Sequence, residues 1–346
     1  MNISQIISYW GYPDEEYDIT TEDGYILGLY RIPYGKTNSD NTQRLVVYLQ
    51  HGLLTSASSW ISNLPNSSLG FLLADAGYDV WMGNSRGTTW SRKHLYLETN
   101  SKEFWAFSFD EMAKYDLPAS IDFIVKQTQQ EEIFYVGHSQ GTTIAFVTFS
   151  TIPKIAERIK IFFALAPVFS IKYSKSPLIK MAYNWKSVIK AFSGNKDFLP
   201  NTSFKRFVGS QLCPLKIFGK ICRDILFMIS GYDQKNLNMS RMDVYMSHNP
   251  AGTSVQNMLH WSQFISSFQT TSPLYNVANM NVSTATWSGE SDLLADPEDV
   301  NILLPEIRNH IYHKTISYYN HIDFLFGLDV YHQVYHEIID IIQGNL

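Results

Sequence analysis

Short apolar runs punctuate the first half of the chain, each closed by glycine or polar residues. Leu45-Val46-Val47-Tyr48-Leu49 ends at the turn His51-Gly52, and Tyr78-Asp79-Val80-Trp81-Met82 ends at Gly83. Ile133-Phe134-Tyr135-Val136 and Ile161-Phe162-Phe163-Ala164-Leu165 follow. Runs this short, rich in β-branched and aromatic residues, read as strands buried on both faces. Between them the apolar spacing lengthens. Met112, Leu117, Ile121 and Ile124 fall near a helical period and predict a helix over 110–128, and a second helix-like run covers 142–158. Strands alternating with helices predict an α/β fold, with a mostly parallel central sheet and helices on both faces.

After Pro167 the alternation stops. It returns as a strand over 282–287, a helix over 296–309, a strand over 314–319 and a last helix ending at Ile342. The stretch between looks mainly helical. The expected organisation is therefore a core of residues 1–170 and 277–346, with residues 171–276 inserted as a cap or lid. Such an insertion sits above the C-terminal edge of the sheet, where open α/β sheets bind ligands.

Charge refines this picture in one region. From Lys172 to Arg223 the chain carries eleven basic residues and one acid, Asp197, interleaved with Tyr183, Trp185, Ile189, Phe192, Phe204 and Phe207. That mixture suits docking on an anionic lipid surface. A solvated helical surface over a packed interior gives the same pattern and is the favoured reading. The whole chain is acidic, with net charge −5, which argues against a nucleic-acid partner. A hydrophobic fraction of 45% supplies a large core. No apolar run is long enough to span a bilayer.

The first eleven residues show no basic cluster and no apolar stretch with a cleavage site, so no signal peptide is expected in the chain as written. Five glycosylation sequons, at Asn2, Asn66, Asn201, Asn238 and Asn281, suit the secretory pathway instead. Secretory and intracellular compartments both stay open.

Candidate chemistry centres on Gly137-His138-Ser139-Gln140-Gly141, a G-x-S-x-G pattern. That spacing serves a serine held on a strained strand-to-helix turn, where flanking glycines relieve crowding. Gly83-Asn84-Ser85-Arg86-Gly87 matches equally well. Context separates the two. Ser139 is followed by small residues opening an apolar helix, whose N-terminal N–H groups can hold an oxyanion. Ser85 is followed by Thr88-Thr89-Trp90-Ser91-Arg92, with no helical stripe, and is expected to be a loop residue.

A nucleophilic serine on this scaffold is followed in the chain by an acid and then a histidine. Asp292 falls in the loop after the 282–287 strand. Glu290, Asp296 and Asp299 compete, but Asp296 precedes Pro297 and reads as a helix cap. His321 follows the 314–319 strand, whereas His310 and His313 are placed before it and His332 and His336 inside the last helix. The expected oxyanion donors are the backbone N–H of Gln140 and of Leu53, with His51 a turn residue. No metal-binding spacing and no dinucleotide or phosphate loop occurs, so no cofactor is expected. Cys213 and Cys222 either close a short disulfide loop or stay as buried thiols.

Longer motifs carry a resemblance. Ser8 to Pro13 (SYWGYP), Thr21 to Leu27 (TEDGYIL), 51–64, 77–87, 104–118 and 137–143 are among them. His248 to Trp261 (HNPAGTSVQNMLHW), 293–300 and 319–323 complete the set. Across nearly the whole chain these resemble the acid lipase family of gastric and lysosomal enzymes, which have the α/β-hydrolase fold. The resemblance implies a triad of Ser139, Asp292 and His321, oxyanion donors Leu53 and Gln140, and a disulfide between Cys213 and Cys222. It also implies a lid within the cap, hydrolysis of lipid acyl esters at acidic pH, and secretion or delivery to lysosomes. Two departures stand out. Family precursors carry a signal peptide, and relatives carry a segment including Y-D-W-G-S that is missing here between Ser267 and Thr270. The expected activity is that of a monomeric lipase or carboxylesterase. The alternatives are an acyltransferase using the same acyl-enzyme, and a catalytically impaired lipid-binding protein.

Overall fold

The computed structural model describes residues 1–37, 42–177, 179–180, 196–213, 215–232, 235–266 and 275–345. Eight strands form the body of one sheet: β1 (Glu15–Thr20), β2 (Tyr25–Ile32), β3 (Val46–Gln50), β4 (Asp79–Gly83), β5 (Ile133–His138), β6 (Ile159–Leu165), β7 (Thr284–Gly289) and β8 (His310–Ile316). Their spatial order is β1-β2-β4-β3-β5-β6-β7-β8, and the two-residue strand Lys93–His94 pairs with β2 outside this path. Pairing is parallel from β4 through β8 and antiparallel where β2 meets β1 and β4. The α/β expectation, with a mostly parallel sheet, is met.

The central strands match the apolar runs because they are buried on both faces: β3, β4, β5 and β7 are buried at every position. The edges were harder to read. β1 (EEYDIT) alternates exposed residues with half-buried ones, buries only Ile19 and has no apolar run. The last strand begins at His310, earlier than the expected 314–319, because its half-exposed sequence HIYHKTI hides its start. His310 and His313 therefore lie within the strand rather than before it, and both ring systems meet Thr286 Oγ1 of β7, at 2.8 and 2.7 Å.

The expected 110–128 helix is helical from Phe109, with a wide turn over Met112–Asp116 leading into α1 (Leu117–Thr128). The second expected helix, 142–158, is broken in two, Gln140–Thr151 being followed by a four-residue helix, Pro153–Ala156. α2 (Gln140–Thr151) stops at Ile152 because Pro153 follows, and a residue before proline is pushed out of helical conformation. The helix expected over 296–309 is a short α-helix, Pro297–Leu303, continued by a tight turn over Leu304–Glu306.

Between β6 and β7 the described part of the insertion holds α3 (Lys216–Ser230), Met242–His248 and α4 (Val255–Ser266), with a small strand pair Asp197–Phe198 and Thr253–Ser254. Cys213 and Cys222 form a disulfide with Cα atoms 5.9 Å apart. Tyr183, Trp185, Ile189 and Phe192, and the junction between Ser267 and Thr270, lie outside the described residues. No described helix is long and apolar enough to cross a membrane.

Candidate active site

Ser139 stands where β5 ends and α2 begins, with φ 54° and ψ −123°. A non-glycine residue at positive φ is strained, and the surrounding glycines make the strain bearable. A Cβ at Gly137 would lie 2.9 Å from the backbone of Gly141, and a Cβ at Gly141 only 2.5 Å from the Gln50 carbonyl oxygen of β3. Glycine at both positions lets α2 start hard against the sheet. Gly52 plays the same part opposite, since its Cβ would meet the Ser139 Cβ at 2.8 Å. The chain after β3 can thus pass directly beside the serine.

Three residues distant in sequence converge there. His321 Nε2 is 2.7 Å from Ser139 Oγ, and His321 Nδ1 is 2.7 Å from Asp292 Oδ2. The other Asp292 oxygen accepts from the backbone N–H groups of Leu294 and Ala295, both at 2.8 Å. An aspartate so held accepts from Nδ1–H, which leaves Nε2 with a lone pair facing the serine hydroxyl. All three side chains are buried, with residue exposures of 8% (Ser139), 2% (Asp292) and 4% (His321). The turn bearing His321 is fixed by Asn320, whose Oδ1 accepts from the N–H of Ile322 and of Asp323 and whose Nδ2 donates to the Gly231 carbonyl.

The competing acids sit elsewhere. Glu290 is exposed, Asp296 caps its helix by accepting from the Glu298 N–H, and Asp299 accepts from the Tyr173 N–H. Ser85 is not part of the cluster. It is buried, its N–H donates to His51 Nε2, and its hydroxyl accepts from Gln50 Nε2, while Gly87 turns at φ +79°. This second G-x-S-x-G serves a turn, and His51 braces it. Burial holds the His51 imidazole down to a pKa of about 4.

The sequence reading passed over His138. Its Nε2 donates to the backbone carbonyl of His321 at 2.8 Å, and Nδ1 is buried without a hydrogen-bond partner among the described residues. Burial first, and the nearby His321 second, hold its pKa down to about 3. The only available signal was its place within the motif.

Ser139, His321, Gly52, Leu53 and Gln140 all border a cavity of about 360 Å³. Its other walls are mostly aliphatic, including Val168, Ile179, Leu199, Ile225, Ile229 and Leu325, with Lys205 also at the lining. The insertion supplies several of them. A polar reacting centre in an apolar hollow favours acyl groups over sugars or nucleotides. Among the described residues no cluster of His, Cys, Asp or Glu is arranged to hold a metal ion.

Residues 46–328 match the family described as alpha/beta hydrolase fold, and residues 3–64 match the partial alpha/beta-hydrolase lipase region. Human lipase member J is 80% identical, with all of both chains covered. Human gastric triacylglycerol lipase is 57% identical over 100% of this chain and 92% of its own. The lysosomal acid lipase/cholesteryl ester hydrolase of Macaca fascicularis is 53% identical over 99% and 91%. The alignments with the two human lipases run over 366 and 364 positions against 346 residues here, as expected if this chain lacks a segment. Among solved structures, the fold is shared with a monoglyceride lipase variant from Saccharomyces cerevisiae (TM-score 0.59, 16% identity, 95% and 94% covered). It is shared also with a thermophilic esterase from Thermogutta terrifontis (TM-score 0.52, 14% identity, 95% and 97% covered). A serine, histidine and aspartate in hydrogen-bonding series, on this sheet and among these relatives, place the chain in the acid lipase family of α/β-hydrolases.

Proposed function

We propose that the chain hydrolyses lipid acyl esters, of triacylglycerol or sterol ester type, through an acyl-enzyme at Ser139. The observation that carries this reading is the series Ser139–His321–Asp292, with both links at 2.7 Å, opening on an apolar cavity. His321 takes the hydroxyl proton as Ser139 attacks the ester carbonyl, and Asp292 stabilises the imidazolium that forms. The backbone N–H groups of Leu53 and Gln140 receive the oxyanion. His321 then returns its proton to the leaving alcohol. Water, deprotonated by the same imidazole, attacks the acyl-enzyme and releases the acid. As the acyl–oxygen bond breaks, His321 hands the water's proton to Ser139 Oγ, which replaces the proton that left with the alcohol and restores the serine hydroxyl.

Residues 171–276 act in this reading as a cap on a core of 1–170 and 277–346, roofing the cavity. Its described face presents Phe218, Ile221, Ile225 and Met228 to solvent beside Lys220, which suits contact with a lipid surface. A monomer is sufficient, since one chain holds the whole cluster. The resemblance to gastric and lysosomal enzymes supports a secreted or lysosomal setting, in which Asn66 and Asn281 are the exposed asparagines open to glycosylation.

The test is a fluorophosphonate probe together with hydrolysis of short- and long-chain esters from pH 4 to 8. Ser139→Ala is expected to abolish labelling and turnover, and Ser85→Ala to keep labelling. Folded protein that resists the probe would sink the reading, and labelling that survives Ser139→Ala would move the nucleophile. Addition of glycerol or a sterol, with the products measured, separates hydrolysis from acyl transfer.

A further inference from the structure

The motif HNPAGTSVQNMLHW lies in the insertion, far from Ser139 in sequence, and none of its residues enters the chemistry above. Its last part forms the start of α4, which carries Asn257 and Trp261. Residues four apart share one face of a helix, and that face points at Gln140. Asn257 Nδ2 donates to Gln140 Oε1 at 2.9 Å, and Trp261 Nε1 donates to the same oxygen at 2.7 Å. All three residues are buried, with exposures of 0% (Asn257), 3% (Trp261) and 3% (Gln140).

The orientation of each amide is unambiguous. An indole N–H can only donate, so the Gln140 atom facing Trp261 is the carbonyl oxygen. Asn257 Oδ1 accepts from the Phe109 N–H at 2.9 Å, so its Nδ2 faces Gln140 and also Thr253 Oγ1, at 3.1 Å. The Asn257 N–H in turn donates to Ser254 Oγ, whose hydroxyl donates to the Phe107 carbonyl. α4 is thereby tied to the core at the 107–109 segment and to the residue that follows the nucleophile. Trp261 also lines the cavity beside Ser139.

We propose that Asn257 and Trp261 are positioning residues for the oxyanion site, coupling the seating of the insertion to the placement of the Gln140 N–H. The inference rests on the reading of Gln140 as an oxyanion donor. Its physical basis is that a backbone donor stabilises the tetrahedral intermediate only if its aim is fixed before charge develops. The turn before Gln140 is strained at Ser139, so the conformation needs holding from both sides. The sheet and its glycines hold one side. Two hydrogen bonds converging on one buried oxygen hold the other. An unseated α4 would leave that oxygen without its partners, and Gln140 held only by its Nε2 donation to Met112 Sδ at 3.5 Å. Catalytic competence thus follows the seating of α4, through a residue whose side chain does no chemistry.

The experiment measures p-nitrophenyl butyrate hydrolysis and the Ki of an alkyl boronic acid, a tetrahedral mimic, on the full chain. Thermal midpoint is recorded in parallel. Losing an oxyanion donor outright costs 10²–10³ in kcat, so losing its aim is expected to cost about tenfold. Trp261→Phe and Asn257→Leu are each expected to lower kcat by that factor with KM nearly unchanged, and to raise the boronate Ki in proportion. In a Gln140→Met background, which lacks the acceptor oxygen, neither substitution should lower kcat further. Unchanged kcat in Trp261→Phe overturns the proposal. So do losses that add in full to those of Gln140→Met, or that merely track the unfolded fraction. If Asn257→Leu fails to fold, Trp261→Phe and Gln140→Met complete the cycle. A wild-type chain without hydrolysis or probe labelling defeats the parent reading instead, which keeps the two failures distinct.

Discussion

His138, directly before Ser139, supports the candidate site through its buried ring. Its imidazole is held neutral by burial, with its pKa lowered from 6.5 to about 3, and its Nε2–H supports the main chain of His321. The sign of the resulting pH dependence follows. Above pH 6.5 both folded and unfolded chains carry a neutral ring there, so this residue adds no slope. As pH falls from 6.5 toward 3, the unfolded chain takes up a proton that the folded chain refuses, and stability drops. Each such group contributes at most about 1.4 kcal/mol per pH unit in that window. His51, lowered to about 4, acts in the same direction. His138→Gln, whose amide nitrogen can replace Nε2 as donor, is expected to flatten the dependence of unfolding free energy on pH between 6 and 4. Denaturant titrations at several pH values check this, and an unchanged slope would show that the ring is protonated in the folded chain. His321 was found in the sequence by order and position. His138 was not, because a motif shows which residue precedes the serine but not which carbonyl that residue will meet.

At the scale of elements, the strand–turn–helix around Ser139 is the unit on which the site depends. Its glycines are there for distance rather than flexibility, Gly141 above all, where a methyl group would press on the carbonyls of Gln50 and His51 at 2.5 and 2.8 Å. Neither carbonyl can yield without moving β3 or the loop that brings Leu53 to the cavity. Gly141→Ala is expected to destabilise the fold by roughly 1–3 kcal/mol through overpacking. It should also lower the rate of probe labelling more than this loss of stability explains, because α2 must shift away from the loop. Labelling at the wild-type rate would show that the elbow tolerates the displacement. The central strands and α2 were legible in the sequence since burial on both faces demands continuous apolar runs. β1 and the start of β8 were not, because an edge strand with one wet face carries no such signal. The end of α2 at Ile152 was legible in principle from Pro153, a local steric effect on the residue before it.

Across the whole molecule, Arg86 joins parts that the sequence keeps far apart. Only 1% of its side chain is exposed. Its guanidinium binds Asp23 at 2.6 and 2.9 Å and Asp116 at 2.8 Å, and lies over the Tyr25 ring at 4.0 Å. The N-terminal hairpin, the loop after β4 and the start of α1 are tied through this one cation. Burial raises the Asp116 carboxyl above its usual range despite Arg86, so that carboxylate depends on its partner. Arg86→Leu is expected to cost about 3–5 kcal/mol, by stranding a buried charge. Arg86→Leu with Asp116→Leu should recover a substantial part of the loss. Chemical denaturation of the single and double variants checks this. A double variant no more stable than the single one would show that the cation, rather than the stranded acid, sets the cost.

The sequence by itself determined the sheet class and the chain order of the three candidate residues, because those follow from local burial patterns and from chain direction. It also narrowed two G-x-S-x-G matches to Ser139, since only that serine opens a helix. The tertiary structure decided what depends on through-space geometry: which acid reaches His321, and that Ser85 is spent on a turn. It decided also that Asn257 and Trp261 converge on Gln140. Hydrogen bonds between segments more than a hundred residues apart leave no period in the chain, so only the folded molecule reveals them.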